Sequence, residues 1–463
     1  MFATGLQLRR LRRRHRLSQA RLAELAGIPQ RILSAFELEK AGLSSGHQET
    51  LREILSRPWR HQDIIDRKKR YRRHSYTYSG RRSERAELVR QSENNAGYLM
   101  ALDTLSTDKR KAFTGLSLFA GGGGFSLGMS SAGCEILGFI EIDDGLASTY
   151  SANFPHVKRV GSDVRRLGPE EIGSIGRELG VVDVLFGGPP CQGFSLSGKR
   201  DAADNRNYLF KDLMRFVEVL SPKVVILENV RLLTSMRSTN GRFVKDVIVE
   251  ELRSRGYEAR LHSVDACRYG VPQHRERVFF VAVRSDLGVS PTFPEPQYDM
   301  TPTLFLKAAR TFGDACSDLE YIESGQMTAD PLHAAVRHPD HVIRWLWDVP
   351  EGQSAHKNND PTLRPPSGYN TTYKRQVWNE PGATVQTTFS MISGCRTVHP
   401  IATRALTARE AARLQSFPDS YRFEGRLGTV RKAIGNAVPP LLALTIGKHL
   451  RTELLDLVEV PCL

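Results

Sequence analysis

A single cysteine, Cys191, directly follows two consecutive prolines, Pro189 and Pro190, at the end of a predicted buried strand. Consecutive prolines restrict the backbone to a rigid turn, so the thiol is held on a stiff platform. Ionisable side chains flank two further predicted strands, because Glu228 ends one of them and Arg277 precedes another. At the carboxyl edge of a sheet, such residues can converge on one cleft. The sequence therefore predicts that a thiol, an acid and a cation share one cleft.

A glycine-rich turn, residues 119–124, follows the first predicted strand. Backbone without side chains at a strand end lets a ligand approach the amide groups and the start of a helix. The dinucleotide pattern G-x-G-x-x-G fails because Ser126 replaces the third glycine, and the P-loop pattern fails because no Gly-Lys-Ser/Thr follows. By itself the turn is compatible either with a nucleotide-like ligand or with a structural bend. Glu141 and Asp163 follow later segments, at positions where acids bind ribose and adenine groups in such folds.

Eight ordered sequence blocks resemble those of the DNA cytosine-5 methyltransferase family. In chain order they are residues 119–124, 141, 163, 189–192, 228–230, 273–277, 404–410 and 435–438. The resemblance covers residues 114–455. It implies an α/β fold, a Rossmann-like S-adenosylmethionine-dependent methyltransferase domain with a small target-recognition domain inserted between the sixth and seventh blocks. It also implies double-stranded DNA as the substrate.

The resemblance implies a role for each residue of the chemical site. Cys191 is the implied nucleophile that adds to carbon 6 of cytosine, because carbon 5 is too weak a nucleophile to accept a methyl group unaided. Glu228 would bind ring nitrogen 3 and the exocyclic amine, Arg277 would hold oxygen 2, and Asn229 would position the cysteine loop. Since the target atoms are stacked inside a duplex, the cytosine must flip out, and the loop 192–208 would close over it. The DNA contacts implied in this loop are Ser195, Lys199 and Arg206.

The same resemblance implies a set of cofactor contacts. The residues at the methionine end of S-adenosylmethionine would be Phe119, Gly121, Gly123 and Gly124. The residues around its ribose and adenine would be Glu141, Ile142, Asp163 and Val164, and the pocket would be completed by Leu209, Asn436 and Ala437. One departure from the family pattern is Gly122, where the family often has a side chain. We expect local looseness at this position.

The elements that must position these residues begin near residue 115. Apolar, strand-like runs at residues 115–119, 136–140, 181–186, 224–227 and 278–283 alternate with helix-compatible segments, which predicts a parallel, doubly wound sheet. Residues 286–400 lose this rhythm and gain Pro, Gly, Asn and Thr, so they are predicted to form a separate, irregular target-recognition domain. Helices are predicted again at 407–414 and 436–455. The catalytic domain is thus predicted to comprise residues 113–285 and 401–463.

Positive charge is concentrated at the N-terminal end of the chain. The net charge of the 463 residues is +14, and residues 1–111 contribute +13 of it, with 25 Lys and Arg against 12 Asp and Glu. A positive field confined to one end predicts a polyanionic partner for that end, although a solvated basic tail would give the same charge pattern. We assign residues 61–112 to a basic linker.

Residues 1–60 are predicted to form a helix-turn-helix domain. Apolar residues recur at helical spacing, Ser18 is a suitable N-cap, Gly27 is suited to a tight turn, and Pro29 is suited to the first turn of the next helix. A helix, a tight turn containing glycine and a second helix form the helix-turn-helix arrangement.

This N-terminal stretch resembles the phage-repressor (Xre-type) family of helix-turn-helix domains over about 50 residues. The resemblance implies a dimer bound to a two-fold DNA site. The DNA contacts that it implies are Gln19, Gln30 and Arg31, at the starts of the second and third helices. One departure is the acidic pair Glu37 and Glu39, which stands at the end of the DNA-reading helix.

Two alternatives to a methyltransferase with an added regulatory domain stay open. The chain could be a sequence-specific repressor whose methyltransferase part is secondary, but intact Cys191, Glu228 and Arg277 disfavour a silent enzyme. It could also methylate RNA, but the helix-turn-helix region favours duplex DNA. The sequence does not reveal the methylated site or whether a restriction endonuclease acts on that same site.

The sequence argues against a membrane protein, a secreted protein and a metal-binding protein. No apolar run approaches the ~18 residues of a membrane span, and no signal-peptide core follows the arginine-rich N-terminus. A cytoplasmic, nucleoid-associated protein of a bacterium or archaeon is therefore predicted. None of the six cysteines is spaced as C-x-x-C, which argues against a zinc site, and no metal is expected.

Overall fold

The computed structural model describes residues 4–14, 19–39, 41–56, 85–106, 111–190, 209–238, 240–393 and 397–456. The chain divides into two compact units, residues 1–80 and residues 81–463. Apolar side chains form a core in each unit. None of the helices in the described ranges combines the length and the apolar character needed to span a membrane.

The described part of the first unit consists of four helices, α1 (Gly5–Arg14), α2 (Gln19–Ala26), α3 (Gln30–Glu37) and α4 (Ser45–Ser56). Each helix contributes a leucine with no exposed surface, namely Leu8, Leu22, Leu33 and Leu51. The turn between α2 and α3 contains Gly27, with a left-handed φ of 62°, and Pro29 precedes the first residue of α3. The predicted helix boundaries at Gly27 and Pro29 are confirmed, whereas Ser18 lies outside the described residues.

The acid at the end of α3, Glu37, is buried, with 4% of its surface exposed. It accepts hydrogen bonds from Arg12 Nε and Nη2 at 2.6 and 2.8 Å and from Gln19 Nε2 at 2.7 Å. Burial alone would raise the pKa of Glu37, but these bonds hold it below its ordinary value. The charge of Glu37 is therefore neutralised inside the unit. Gln19 is half-buried against this carboxylate, whereas Gln30 and Arg31 are exposed at the start of α3.

The second unit is built around a seven-stranded sheet with the order β3-β2-β1-β4-β5-β7-β6. Its strands are β1 (Phe113–Leu118), β2 (Cys134–Ile140), β3 (Lys158–Gly161), β4 (Val184–Gly187), β5 (Val224–Val230), β6 (Tyr257–Asp265) and β7 (Glu276–Arg284). Strands β1 to β5 run parallel, as predicted. Strand β7 runs antiparallel to β5 and β6, so the prediction of a parallel sheet is wrong at this edge. The connection 266–275 between β6 and β7 is shorter than the crossover of a dozen or more residues that a parallel pair requires.

The described residues of the second unit include eleven α-helices, and helices from this set cover both faces of the sheet. In chain order they are α5 (Asn95–Asp103), α6 (Gly124–Ser131), α7 (Asp144–Asn153), α8 (Pro169–Leu179), α9 (Leu209–Leu220), α10 (Val244–Arg253), α11 (Phe312–Cys316), α12 (Asp340–Leu346), α13 (Ala408–Leu414), α14 (Leu427–Asn436) and α15 (Pro440–His449). Strand β5 contributes Val225 and Leu227 to the core beneath α8, α9 and α10, and Val224 and Ile226 to the core on the other face. This two-sided burial explains why central strands are continuous apolar runs in the sequence.

The predicted C-terminal helices are confirmed in part. α13 follows Thr407, whose side chain accepts a hydrogen bond from the amide of Glu410 and forms a capping box with it. The helix predicted over 436–455 is wrong at its start, because α14 ends at Asn436 and α15 begins at Pro440. Proline lacks the amide hydrogen that a continuous helix needs and therefore ends α14 here. A π-helical segment, Leu450–Leu455, continues α15.

The second half of the predicted basic linker is folded into the second unit. We call residues 85–106 the N-terminal strap. Asn95 Nδ2 in α5 donates a hydrogen bond to Asp318 Oδ1 at 2.8 Å. The fully buried Tyr98 donates its hydroxyl hydrogen to a backbone carbonyl of α13. The linker therefore does not extend over 61–112 as predicted, because the strap packs against both residues 286–400 and the C-terminal helices.

Residues 286–400 contain few regular elements, as predicted. Besides α11 and α12 they include the two-residue strands β8 (Tyr298–Asp299) and β9 (Lys307–Ala308), which pair in parallel. Phe312, Val385 and Phe389 belong to the core that covers one face of the seven-stranded sheet. A smaller apolar cluster, which includes Val342 and Leu346, lies within the segment and extends to residue 405. The segment thus shares much of its core with the seven-stranded sheet.

Candidate active site

The glycine-rich turn after β1 has a strained and closely packed backbone. Phe119, Gly121 and Gly123 have left-handed φ values of 52°, 57° and 91°, a conformation that is costly for a residue with a side chain such as Phe119. A Cβ on Gly124 would lie 3.0 Å from Ala437 Cβ. The structure therefore brings the predicted C-terminal cofactor residue Ala437 against the turn at the start of α6.

Gly122 is packed rather than loose, contrary to the expectation from the family pattern. A Cβ at this position would lie 2.8 Å from Ala433 Cβ. The hydroxyl of Tyr421 also donates a hydrogen bond to Gly122 O. A side chain is missing here because α14 occupies its space.

Glu141 joins the end of β2 to the glycine turn. Its carboxylate accepts hydrogen bonds from the amides of Gly121 at 2.8 Å and Asp143 at 2.9 Å. Burial raises the pKa of Glu141, and these amide hydrogen bonds oppose the rise. The neighbouring Ile142 is 60% exposed, although it is a large apolar side chain. A buried acid and an exposed apolar surface therefore stand side by side at this edge of the sheet.

The other predicted cofactor residues lie at the same sheet edge or in the core beside it. Asp163 follows β3, and its side chain accepts a hydrogen bond from the amide of Arg165 at 3.0 Å. The ion pair with the Arg165 guanidinium lowers the pKa of Asp163. Val164 and Leu209 are 4% and 8% exposed and share one hydrophobic core, whereas Asn436 is exposed.

Glu228 and Arg277 form an ion pair at the carboxyl end of β5. Arg277 Nε lies 2.8 Å from Glu228 Oε1, and the two side chains are only 14% and 12% exposed. Burial lowers the pKa of Arg277. A Cβ on Gly188 would lie 2.8 Å from Glu228 Oε2, so the glycine allows this carboxylate to approach the turn that follows β4. Two of the residues predicted for the chemical site are therefore in direct contact.

Asn229 fixes the proline turn that leads to the predicted nucleophile. Its side-chain nitrogen Nδ2 donates a hydrogen bond to Pro189 O at 2.9 Å, and its Oδ1 accepts one from Val230 N at 2.8 Å. The predicted positioning role of Asn229 is consistent with these bonds. The remaining predicted chemical and loop residues, Cys191, Ser195, Lys199 and Arg206, lie outside the described residues.

Two buried polar residues near the site were assigned no role from sequence. Gln273 has no exposed surface, and its Oε1 accepts a hydrogen bond from Val385 N at 3.0 Å. Arg275 is 1% exposed and donates to the carbonyl oxygens of Val385 and Ala437 at 3.1 and 2.9 Å. Their position in the same sequence block as Arg277 was the available signal. The role of Gly188 beside the Glu228 carboxylate was not predicted either, and the only sequence signal for it was its position between a predicted strand and two prolines.

Comparison with known proteins agrees with this geometry. Residues 113–452 match the family described as C-5 cytosine-specific DNA methylase. The chain is 35% identical to the Type II methyltransferase M.DdeI of Desulfomicrobium norvegicum over 375 residues, which cover 72% of this chain and 88% of that protein. It is 36% identical to the Type II methyltransferase M1.HphI of Haemophilus parahaemolyticus over 343 residues, covering 73% of this chain and 86% of the relative.

A solved structure shares the fold of the second unit. It is a DNA modification methyltransferase encoded within an E. coli prophage, with 25% sequence identity and a TM-score of 0.58. The match covers 74% of this chain and 99% of that one. Together with the family match and the Glu228–Arg277 pair at the strand edge, these findings assign the chain to the C-5 cytosine-specific DNA methylase family, as a DNA (cytosine-5)-methyltransferase.

Proposed function

We propose that the chain methylates cytosine in a specific duplex sequence through a covalent adduct at Cys191. The observation that carries this proposal is the buried Glu228–Arg277 pair, which lies beside the turn fixed by the Asn229–Pro189 hydrogen bond. Cys191 is the second residue after Pro189. In the chain, Cys191 therefore comes directly after a turn that is hydrogen-bonded to β5, the strand that carries Glu228.

The roles of the three groups follow from the charges that the reaction develops. Thiolate addition to carbon 6 drives electron density toward carbon 5, ring nitrogen 3 and oxygen 2. Glu228, hydrogen-bonded to ring nitrogen 3 and the exocyclic amine, stabilises this change, and Arg277 places a positive charge at oxygen 2. Because Glu228 and Arg277 are nearly closed to solvent, they interact more strongly with the charges that develop on the cytosine than they would in water. Carbon 5 would then take the methyl group from the sulfonium of S-adenosylmethionine, whose carbon–sulfur bond breaks, and loss of the carbon 5 proton to a base would allow the thiolate to leave.

The edge of the sheet around β1 and β2 fits S-adenosylmethionine. Gly121 leaves the backbone open, because a Cβ there would have no neighbour within 4 Å. Glu141 is a buried acceptor for ribose hydroxyls, and exposed Ile142 offers an apolar face for adenine. Asp163 and Ala437 complete the proposed pocket. When bound, S-adenosylmethionine supplies the methyl group, while the protein groups hold the cofactor and exclude water.

We propose that the target cytosine flips out of the duplex into this cleft and that the loop 192–208 closes over it. The target atoms are inaccessible in stacked DNA, so extrusion of the nucleotide is required by the chemistry. Ser195, Lys199 and Arg206 are the proposed DNA contacts in the loop, because hydroxyl and cationic side chains bind phosphate oxygens.

The covalent mechanism is tested by replacing the thiol. Cys191→Ser should abolish methyl transfer and abolish trapping on DNA that contains 5-fluorocytosine, whose carbon 5 substituent cannot leave as a proton. Binding of S-adenosylmethionine, measured by calorimetry, should be unchanged, which shows that the variant is folded. RNA of the same sequence serves as the substrate control. Substantial turnover by Cys191→Ser would exclude this nucleophile.

We propose that residues 286–400 select the methylated sequence. The segment is irregular, occupies the insertion between the sixth and seventh sequence blocks, and is anchored to the catalytic core through Phe312, Val385 and Phe389. The test is an exchange of this segment with that of a relative of known specificity, followed by bisulfite sequencing. An unchanged methylated site would place recognition elsewhere.

A second proposed function belongs to the N-terminal unit. We propose that residues 1–60 bind a separate operator as a helix-turn-helix domain and regulate transcription. The supporting observations are the charge of +13 in residues 1–111, the exposed Gln30 and Arg31, and the neutralisation of Glu37 inside the unit. Base contacts from Gln30 and phosphate contacts from Arg31 fit this role.

The regulatory proposal is tested by footprinting the full chain on the upstream region of its own gene, across a salt series. Gln30→Ala should reduce discrimination between operator and random DNA by roughly 5- to 150-fold, the equivalent of ~1–3 kcal/mol. Arg31→Ala should lower the salt dependence of binding. Protection without sequence preference would reduce this unit to a nonspecific anchor. Pairing with a restriction endonuclease is proposed from the Type II relatives and is tested by assaying the neighbouring gene product for cleavage of the same site.

A further inference from the structure

Three side chains with metal-binding atoms converge at the turn between β6 and β7. Asp265 ends β6, Cys267 lies in the 3-10 helix Ala266–Tyr269, and His274 precedes β7. His274 Nδ1 lies 2.9 Å from Asp265 Oδ2 and 3.5 Å from Cys267 Sγ. The three ligand atoms all lie within 4.8 Å of one another. The mechanism proposed above makes no use of this cluster.

Hydrogen bonds already link the three groups while the thiol is protonated, because the Cys267 side chain also bonds the Asp265 carboxylate. An imidazole nitrogen carries at most one proton, yet both the carboxylate of Asp265 and the thiol of Cys267 face the same Nδ1 of His274. A Cys–His–Asp catalytic triad does not fit either, because in a triad the nucleophile and the carboxylate contact different ring nitrogens. A metal ion is the ligand that needs several lone pairs aimed at one point.

Two of the three ligand separations can be compared with those of tetrahedral zinc coordination. Bonds of about 2.3 Å to sulfur and about 2.05 Å to an imidazole nitrogen place those two atoms roughly 3.5 Å apart. The separation of Cys267 Sγ and His274 Nδ1 is 3.5 Å. Tetrahedral geometry puts the nitrogen and the carboxylate oxygen roughly 3.3 Å apart, so the observed 2.9 Å must widen by a few tenths of an ångström. A small side-chain rotation of Asp265 or of the half-exposed His274 is sufficient.

The surroundings orient the cluster and leave one side open. Asp265 Oδ1 accepts hydrogen bonds from Arg275 N at 2.8 Å and Cys267 N at 3.4 Å, which leaves Oδ2 directed toward His274. Such outer hydrogen bonds hold a ligating carboxylate in place. Cys267 is only 3% exposed, whereas the His274 side chain is 45% exposed. Solvent therefore has access to a fourth coordination position.

We propose that Asp265, Cys267 and His274 bind one Zn²⁺ ion, with water as the fourth ligand. Thiolate and imidazole select zinc over the hard ions Mg²⁺ and Ca²⁺, which prefer oxygen ligands. The bound ion links the end of β6 to the segment that carries Arg275 and Arg277, and so stiffens the turn that supports the Glu228–Arg277 pair. The sequence-based expectation of no zinc site relied on the absence of C-x-x-C, whereas these ligands follow a D-x-C-x₆-H spacing.

The test uses the full chain in a Cys191→Ser background, so that the proposed nucleophile cannot bind metal. The protein is titrated with Co²⁺ as a spectroscopic substitute and with Zn²⁺. We expect one equivalent of Co²⁺ to give a thiolate-to-cobalt charge-transfer band and Zn²⁺ to displace it. Zn²⁺ should also raise the midpoint of thermal unfolding.

Three variants separate the proposed site from nonspecific binding. Cys267→Ser should remove the charge-transfer band and weaken Zn²⁺ binding at least tenfold. Asp265→Asn keeps the thiol and should weaken binding while retaining the band, which keeps the test decisive if Cys267→Ser does not fold. Cys316→Ala, at another buried free cysteine, should leave both measurements unchanged. No saturable binding by the background protein, or a band that persists in Cys267→Ser, would overturn the proposal.

Discussion

Replacement of Asn229 by alanine removes the hydrogen bond that ties the proline turn to β5. In the structure, Asn229 is 6% exposed and its side chain bridges Pro189 O and Val230 N at 2.9 and 2.8 Å. The variant keeps the strand, the ion pair and the cofactor-side residues. It therefore isolates the placement of the turn that leads into Cys191.

The expected loss follows from the energetics of one buried hydrogen bond. A neutral hydrogen bond contributes about 0.5–1.5 kcal/mol net, and a buried carbonyl left without a donor costs about 1–3 kcal/mol. If this free energy is lost from the population of the productive turn, methyl transfer slows by roughly 5- to 150-fold, since ~1.4 kcal/mol corresponds to a factor of ten. The affinity for S-adenosylmethionine should not change, because Glu141 and the glycine turn keep their bonds.

The assay is single-turnover methyl transfer to duplex DNA, with cofactor binding and thermal unfolding measured on the same samples. Asn153→Ala is the matched control, because the Asn153 amide also bridges backbone groups, donating to Arg422 O at 2.7 Å and accepting from Arg422 N at 3.0 Å. Asn153 is the last residue of α7, at the opposite end of that helix from Asp143, which follows Glu141 by two residues. A folded Asn229→Ala protein that transfers methyl groups within about twofold of the wild-type rate would refute the reasoning.

Three further outcomes are expected. Gly123→Ala should weaken S-adenosylmethionine binding in calorimetry by more than about tenfold, because the backbone is left-handed and the added methyl would lie 2.5 Å from a buried tyrosine hydroxyl; unchanged affinity would contradict this. The hydrogen bond from Arg413 lowers the pKa of Asp318 although burial opposes the shift. This ion pair therefore stabilises the fold at pH values above the unfolded pKa of about 3.9, and its contribution is lost as the pH falls through the lower folded pKa. The difference in unfolding midpoint between wild type and Asp318→Asn should accordingly shrink on acidification. Deletion of residues 1–84 should preserve methyl transfer. Deletion of residues 1–106 should lower the midpoint of thermal unfolding, because it also removes the N-terminal strap. Equal unfolding midpoints for the two deletion proteins would refute a stabilising role for the strap.

The central strands were predictable because both of their faces are buried. β4 and β5 are short apolar runs, and such runs are the strongest strand signal in an α/β sequence. β3 and β6 were missed because they are the two edge strands, and edge strands carry charged residues such as Lys158 and Arg260. The direction of β7 was not encoded in its apolar pattern, since a strand reads the same in either orientation.

The residue types of the site were predictable, but many of the contacts that hold them were not. Arginine is usually an exposed residue, so Arg375 in the polar recognition segment gave no sign of burial. In the structure it is 1% exposed and donates to several backbone carbonyls, including Leu346 O at 2.9 Å and Ala402 O at 2.7 Å. Burial lowers its pKa to about 9. Backbone acceptors carry no sequence signature, so interactions of this kind cannot be inferred from residue identities.

The backbone contacts of Arg275 could not be inferred from the sequence either, and they restrict how residues 286–400 can be exchanged to change the DNA sequence specificity. Arg275 joins Val385 in the recognition segment to Gly435 and Ala437 beside the glycine turn, through bonds of 3.1, 3.0 and 2.9 Å. Arg275 also stands two residues before Arg277 in the chain, so its side chain connects residues 286–400 and the C-terminal segment to the start of β7. Loss of the backbone position of Val385 would leave Nη1 of this buried guanidinium without its acceptor, while Nη2 keeps Gly435 O and Ala437 O; one buried donor without a partner costs about 1–3 kcal/mol. Exchanges of the recognition segment should therefore preserve activity when they end before Val385 and lose it when they shift that backbone.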